Sequence, residues 1–149
     1  MTPVVAYGPA SPHDLAELVE LRIEAMRESL QRLGRFDPAR ARERLASSFE
    51  PAFTRHVLVA GRRVGFVVVK PHAEGLLLDH LYVRVSEQGQ GIGGRVLCDV
   101  IADAAARQLS LSVGALRESA ANAFYLRHGF RKVGEAEWDV FYRHDPTTS

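Results

Sequence analysis

Four glycines fall within six positions, Gly89, Gly91, Gly93 and Gly94, and the hydrophobic period changes across them. Before the cluster, Leu76 to Val83 is rich in branched and aromatic residues and reads as a strand. After it, Ile92, Val96, Val100 and Ala104 recur at helical spacing, and the helix runs to about Gln108. Glycine at a strand-to-helix junction lets backbone N–H groups converge at the helix start, where the macrodipole also favours negative charge. The segment therefore reads as a cradle for a phosphate or pyrophosphate. The plainer reading is a tight connection that needs positive φ.

The flanking sequence supplies the rest of an α/β chain. Val4 to Tyr7 is a short strand. Ser11-Pro12-His13-Asp14 opens a helix, with Ser11 as cap, Pro12 at the first position and Asp14 completing a capping box. Leu15, Val19, Ile23, Met26, Leu30 and Leu33 form its apolar stripe, and Gly34 ends it. Asp37-Pro38 opens a second helix with Ala41, Leu45 and Phe49 on its buried side. Val57 to Val59, Val64 to Val69 and Leu76 to Val83 follow at hairpin-like separations and predict an antiparallel meander. Leu109 to Ala115 is a strand, Ala120 to His128 a short helix closed by Gly129, and Val133 and Trp138 to Tyr142 two last strands. The order β-α-α-β-β-β-α-β-α-β-β predicts a mixed, mostly antiparallel sheet with helices on both faces.

Composition narrows the function classes. With 149 residues and 46% hydrophobic content, residues 1–149 make one domain. Nineteen Lys and Arg against 18 Asp and Glu leave a formal charge of +1, so no global field recruits nucleic acid or an anionic membrane. The N-terminus lacks a basic segment and a cleavage-like site, and no apolar run approaches a membrane span, which makes a cytoplasmic protein the expectation. Cys98 is the one cysteine and reads as helix core packing. His13, His56, His72, His128 and His144 lack metal-ligand spacing, so no metal is expected.

Gly89-x-Gly91-x-x-Gly94 matches the dinucleotide fingerprint in letter only. That fingerprint follows its strand directly and is trailed by an acid about 20 residues on. Here Arg84 to Gln88 intervene after Val83, and the residue 20 beyond Gly94 is Gly114. No Gly-Lys-Ser/Thr follows either, which excludes a P-loop.

The segment Gln88-x-x-Gly91-x-Gly93, preceded by Leu81-Tyr82-Val83, resembles the acyl-CoA-binding motif of the GNAT superfamily of N-acetyltransferases. Ala123-Phe124-Tyr125-Leu126-Arg127-His128-Gly129-Phe130 is similar to that family's second signature, a short helix bearing Tyr and ending in Gly-Phe. One helix and one strand separate the two motifs, and the element order fits over the whole chain. The resemblance implies a GNAT-like domain whose strands at Leu76–Val83 and Leu109–Ala115 run parallel and splay apart. It further implies that acetyl-CoA inserts its pantetheine arm along main-chain groups of Leu81, Tyr82 and Val83. Backbone amides of Gln88, Gly89, Gly91, Gly93 and Gly94 would then hold its pyrophosphate. Arg95 would add a phosphate contact or be a plain surface residue.

By the same resemblance Tyr125 matches the tyrosine that protonates the departing thiolate, a job a neutral phenol can do. The plainer role is packing with Phe124 and Phe130. Many members carry Asn seven residues before this tyrosine as a pantetheine contact. Here that position is Glu118, and Asn122, three residues before Tyr125, is the alternative. Asp79 is the first choice for the base that deprotonates the amine, since strand alternation puts it on a face with Leu77, Leu81 and Val83. His80, on the opposite face, Glu24, Glu28, Glu118 or water are the other choices.

The two N-terminal helices would wall the acceptor site. Residues 22–55 hold eight Arg and five acids, which suits either an anionic acceptor or a salt-bridged surface. The implied reaction is direct transfer of acetyl to a primary amine of a small molecule or peptide. The alternative is a non-catalytic acyl-CoA-binding module of the same fold. The C-terminal strands could pair across a homodimer.

Overall fold

The computed structural model describes residues 2–146. It forms a mixed α/β fold whose seven strands are ordered β1-β2-β3-β4-β5-β7-β6, the β4–β5 pair being parallel. Two compact units divide the chain. The first holds residues up to Val68 together with His80–Gly93, and the second holds Val69–Asp79 and the chain from Gly94 on.

In the first unit, β1 (Ala6–Pro9) pairs antiparallel with β2 (Thr54–Val59), from Ala6↔Leu58 to Pro9↔Arg55. The strand starts later than Val4 because β2 has only Val59 left before the Ala60–Gly61 turn, where both residues take positive φ. The Ser11 amide donates to the Asp14 carboxylate at 2.8 Å, and a short turn over Pro12–Asp14 runs into α1 (Leu15–Arg32). Gly34, at φ +68°, terminates it, with Arg35 N–H returning to the Leu30 carbonyl at 2.7 Å. Asp37 accepts from the Arg40 amide at 3.2 Å and caps α2 (Pro38–Ser48).

The apolar faces of α1 and α2 meet β3 (Arg62–His72). Leu18, Leu21, Leu45 and Phe66 are almost wholly shielded from solvent in one cluster, and each contributes on the order of 2 kcal/mol through burial. Gly65 of β3 lies against β4 (Gly75–Val83) so tightly that an added Cβ would run into the Tyr82 carbonyl, so only glycine fits.

In the second unit, β4 and β5 (Leu111–Leu116) run parallel, paired at Leu76↔Leu111, Leu77↔Ser112 and Leu78↔Val113. α3 (Ile92–Ala106) brings buried Val96, Leu97, Val100 and Ala104 to this unit. Its end explains why β5 starts after Leu109. Gln108 adopts φ +57°, and the Leu109 amide bonds back to the Ala104 carbonyl at 2.9 Å. Then come α4 (Ala121–Arg127), which packs on β5, and β6 (Arg131–Glu135) and β7 (Asp139–His144). β7 lies antiparallel between β5 and β6, with Val113↔Tyr142 and Lys132↔Tyr142 in register.

Cys98 corrects the sequence reading, because it is exposed. The helical period turns positions 96, 97, 100 and 104 inward and leaves 98 on the outer face. Among the described residues no helix is long and apolar enough to cross a membrane.

Asp14 joins the helix start to the sheet. The Ser11 amide, then the His56 ring at 2.9 Å and the more distant Arg63 guanidinium, hold its carboxyl below the usual carboxylate range. A depressed carboxyl stabilises the fold above its unfolded pKa of about 4, and the contribution disappears as pH falls through the folded value. Asp14→Asn should therefore cost about 1 kcal/mol at pH 7 in denaturant titrations, with the gap to the natural protein closing towards pH 2. A gap independent of pH would show that the charge of Asp14 has no part in it.

Candidate active site

β4 leads into the glycine segment through a short turn at Val85–Glu87. The Gln88 side chain donates from Nε2 to the Val83 carbonyl at 3.0 Å, folding the loop back on the strand end. Glu87 is fixed by Arg62 at 2.8 Å and by Gln90 at 3.2 Å, and these contacts, the Arg62 hydrogen bond first, hold its carboxyl below the ordinary range. Gly89 and Gly91 take φ of +84° and +81°, a region that favours glycine. Beside Gly89 nothing lies within 4 Å of an added Cβ, while at Gly91 such an atom would meet Thr2 Oγ1 at 2.8 Å. α3 starts at Ile92, so the amides of its first turn, Gly93 and Gly94 included, have no intrahelical acceptor. The positive φ at Gly89 and Gly91, the open space beside Gly89 and the amides of a helix start suit a pyrophosphate.

Leu81, Tyr82 and Val83 close β4 in the same unit as Gln88, Gly89, Gly91 and Gly93. The alternation predicted along this strand is present. Leu76, Leu78 and His80 are buried, and Leu77, Asp79 and Leu81 are only partly so. His80 is 3% exposed and stacks near Phe66 and Tyr82, with ring centroids 6.2 and 5.7 Å away, so it is a core residue. Tyr82 turns to the α1–α2 side, 5.6 Å from the Phe66 ring, with the Arg22 guanidinium 5.8 Å from its centroid. Arg22 is the residue that the sequence reading passes over. The signal was there, because Leu18, Arg22 and Met26 share one helical face.

Gly94 belongs to the second unit, which also holds Asp79, Asn122 and Tyr125. Asp79 stands one residue past the last β4–β5 pair, Leu78↔Val113. Its Oδ2 lies 3.2 Å from Lys70 Nζ, and both side chains are mostly buried. Lys70 is a second unforeseen partner, legible as a lone cation closing the apolar run Val64 to Val69. Tyr125 is 8% exposed, with Phe124 and Phe130 each 5.4 Å away by centroid and Tyr142 at 6.2 Å.

Asn122 has its polar atoms engaged. Nδ2 donates to the Leu116 carbonyl at 3.0 Å and the Ser119 carbonyl at 2.9 Å, and Oδ1 accepts from Tyr142 OH at 2.7 Å. It ties the β5–α4 turn to β7, and a cofactor contact would have to share those atoms. Glu118, in that turn, adopts φ +69°. Arg95 pairs with Asp99 at 3.2 Å on the outside of α3, and Glu24 and Glu28 are exposed on α1. Among the described residues no group of three His, Cys, Asp or Glu could hold a metal ion.

Residues 54–132 match the acetyltransferase (GNAT) domain family. Among solved structures, the chain is similar to the PaiA N-acetyltransferase of Thermoplasma acidophilum, solved in complex with coenzyme A. The identity is 14% and the TM-score 0.77, with 95% of this chain and 99% of that one covered. An acetyltransferase from Thermus thermophilus gives 20% and 0.74, covering 97% and 99%. The ribosomal-protein-S18-alanine N-acetyltransferase of Escherichia coli gives 14% and 0.73, covering 98% and 96%. Identities this low speak for the fold alone, and no curated protein sequence matches. The family match runs from β2 to β6, through both motifs and the elements between them, and the chain belongs to the GNAT acetyltransferase family.

Proposed function

We propose that residues 1–149 act as one GNAT-like domain that transfers acetyl from acetyl-CoA to a primary amine. The observation that carries this reading is the pair of left-handed glycines, Gly89 and Gly91, immediately before α3. Backbone amides of Gln88, Gly89, Gly91, Gly93 and Gly94 bind the pyrophosphate, and the main chain of Leu81, Tyr82 and Val83 takes the pantetheine arm. Asn122, which holds the β5–α4 turn, shares its amide with the pantetheine arm.

In the proposed chemistry the amine lone pair attacks the thioester carbonyl carbon, and the C–S bond breaks as the tetrahedral adduct collapses. Tyr125 donates its phenolic proton to the departing thiolate, and Asp79 takes the proton released by the amine. The aromatic packing of Tyr125 supports this role by fixing its ring, and the Lys70 contact fixes Asp79. No acyl-enzyme forms. The acceptor is an amine-bearing small molecule or peptide, the compartment the cytoplasm, and the C-terminal strands are the surface through which a homodimer would assemble.

A panel of primary amines with acetyl-CoA, read by release of free thiol, tests the reaction. Turnover is expected, and acetyl-CoA binding without turnover on any amine would leave the non-catalytic module. Gly91→Val should abolish acetyl-CoA binding while the circular dichroism stays native, since a side chain there collides with Thr2 and opposes φ +81°. Undiminished affinity would reduce the loop to a structural turn. Tyr125→Phe removes only the proton and should lower kcat by about 10²–10⁴-fold with little change in acetyl-CoA affinity. An unchanged kcat would give protonation to water. Asp79→Asn should lower kcat/KM in the same assay, and a retained rate would move the base to water or another group.

A further inference from the structure

Arg22 is 5% exposed, on the face of α1 that also buries Leu18, Val19 and Ile23. Its Nη1 donates to the Ala41 carbonyl of α2 at 2.6 Å, and its guanidinium lies over the Tyr82 ring. Its Nε is sealed from solvent without a hydrogen-bond partner, and among the described residues no carboxylate lies within 4.0 Å of it. Arg63 likewise has one buried nitrogen, Nη1, without a partner, but it and exposed arginines such as Arg42 and Arg62 have a carboxylate beside them. Arg42 pairs with Glu20 at 3.1 Å and Arg62 with Glu87 at 2.8 Å, and half-buried Arg63 with Glu17 at 2.7 Å.

Mostly buried Lys70 is matched by Asp79 at 3.2 Å, so among the described residues Arg22 stands apart as a buried cation without a carboxylate, where an uncompensated charge costs most. A buried donor left unpaired calls for a cause, such as an ion or ligand that completes it. The geometry names the ligand. Nη1 is committed to Ala41 and Nε has no partner, and the edge of the planar guanidinium that carries Nε–H, shared with Nη2, matches the two oxygens of a carboxylate. A single buried cation suits one carboxylate better than a doubly charged phosphate.

We propose that the Nε–Nη2 edge of Arg22 is a carboxylate-binding site, and that the carboxylate belongs to the amine acceptor. The second half rests on the acetyl-transfer reading above. The place supports it, because Tyr82, which the guanidinium overlies, sits between Leu81 and Val83 on the strand end assigned to the pantetheine arm. The substrate class is thus an amino acid or another amine carrying a carboxylate.

Two measurements separate the site from the reaction. In the first, the Nε–Hε NMR signal of Arg22, assigned by its loss in Arg22→Lys, is followed as acetate, 4-aminobutanoate or 4-amino-1-butanol is added to the full chain. A saturable downfield shift is expected with the two carboxylates and none with the alcohol. A signal that neither carboxylate moves overturns the site, whatever the catalytic result. In the second, acetylation of carboxylate-bearing amines is compared with that of length-matched alcohols. Arg22→Lys keeps the charge and loses the two-donor edge, so KM for the carboxylates should rise about 10- to 100-fold more than KM for the alcohols. Equal losses on both series would make Arg22 a purely structural link between α1 and α2, and would overturn the substrate class. A carboxylate-dependent NMR shift without turnover on any amine would keep the site and refute the acetyl-transfer reading instead.

Discussion

β4 and β5 run side by side in the same direction, and a parallel pair cannot be closed by a hairpin. The other neighbours for which a register is seen are antiparallel, and two residues, Ala60 and Gly61, are enough to join β2 to β3. After Val83 the chain has no such option. It must leave the sheet, pass through a helix and return at Leu111, so a helix has to start just beyond the C-terminal end of β4. A helix start carries amides that its own backbone cannot satisfy. The glycines at 89 and 91 let the connection turn in a left-handed conformation directly before those amides. The glycine loop proposed to bind the pyrophosphate thus follows from one parallel pairing.

The packing in each unit serves fixed positions more than bulk stability. In the first unit the Leu18, Leu21, Leu45 and Phe66 cluster is an ordinary apolar core, yet beside it sits a charged guanidinium with a carbonyl and a ring for company. In the second, Asn122 spends both its donor and acceptor capacity on the β5–α4 turn and Tyr142, which fixes the helix that bears Tyr125. Most other charges are exposed pairs such as Arg131–Asp145 and Arg107–Asp103, which decorate the surface and contribute little.

Much of this was legible in the sequence, for reasons that can be named. Periodicity located α1, α2 and α3 because each has an apolar face against a polar one. The capping box at Ser11–Asp14 and the glycines at 34 and 129 marked ends that the structure shows. The parallel pairing, by contrast, followed from the family resemblance. Residues that depend on contacts distant in sequence escaped. Lys70 and Asp79 are nine positions apart, Arg22 meets Ala41 and Tyr82, and Tyr142 meets Asn122 across 20 residues. Local rules also set element limits too generously at Val4 and Leu109, and placed Cys98 inside when its helix turns it out. The missed contacts share one trait, a polar group among apolar neighbours. Such a residue violates the local pattern and is a pointer to function.

The most direct test of the account follows the loop's own amides. In a ¹H–¹⁵N correlation spectrum titrated with acetyl-CoA, the signals of Gly89, Gly91, Gly93 and Gly94 should move together and saturate with a single affinity, and NAD at the same concentrations should leave them in place. Acetyl-CoA binding that perturbs other amides and spares these four, or an equal response to NAD, would contradict it.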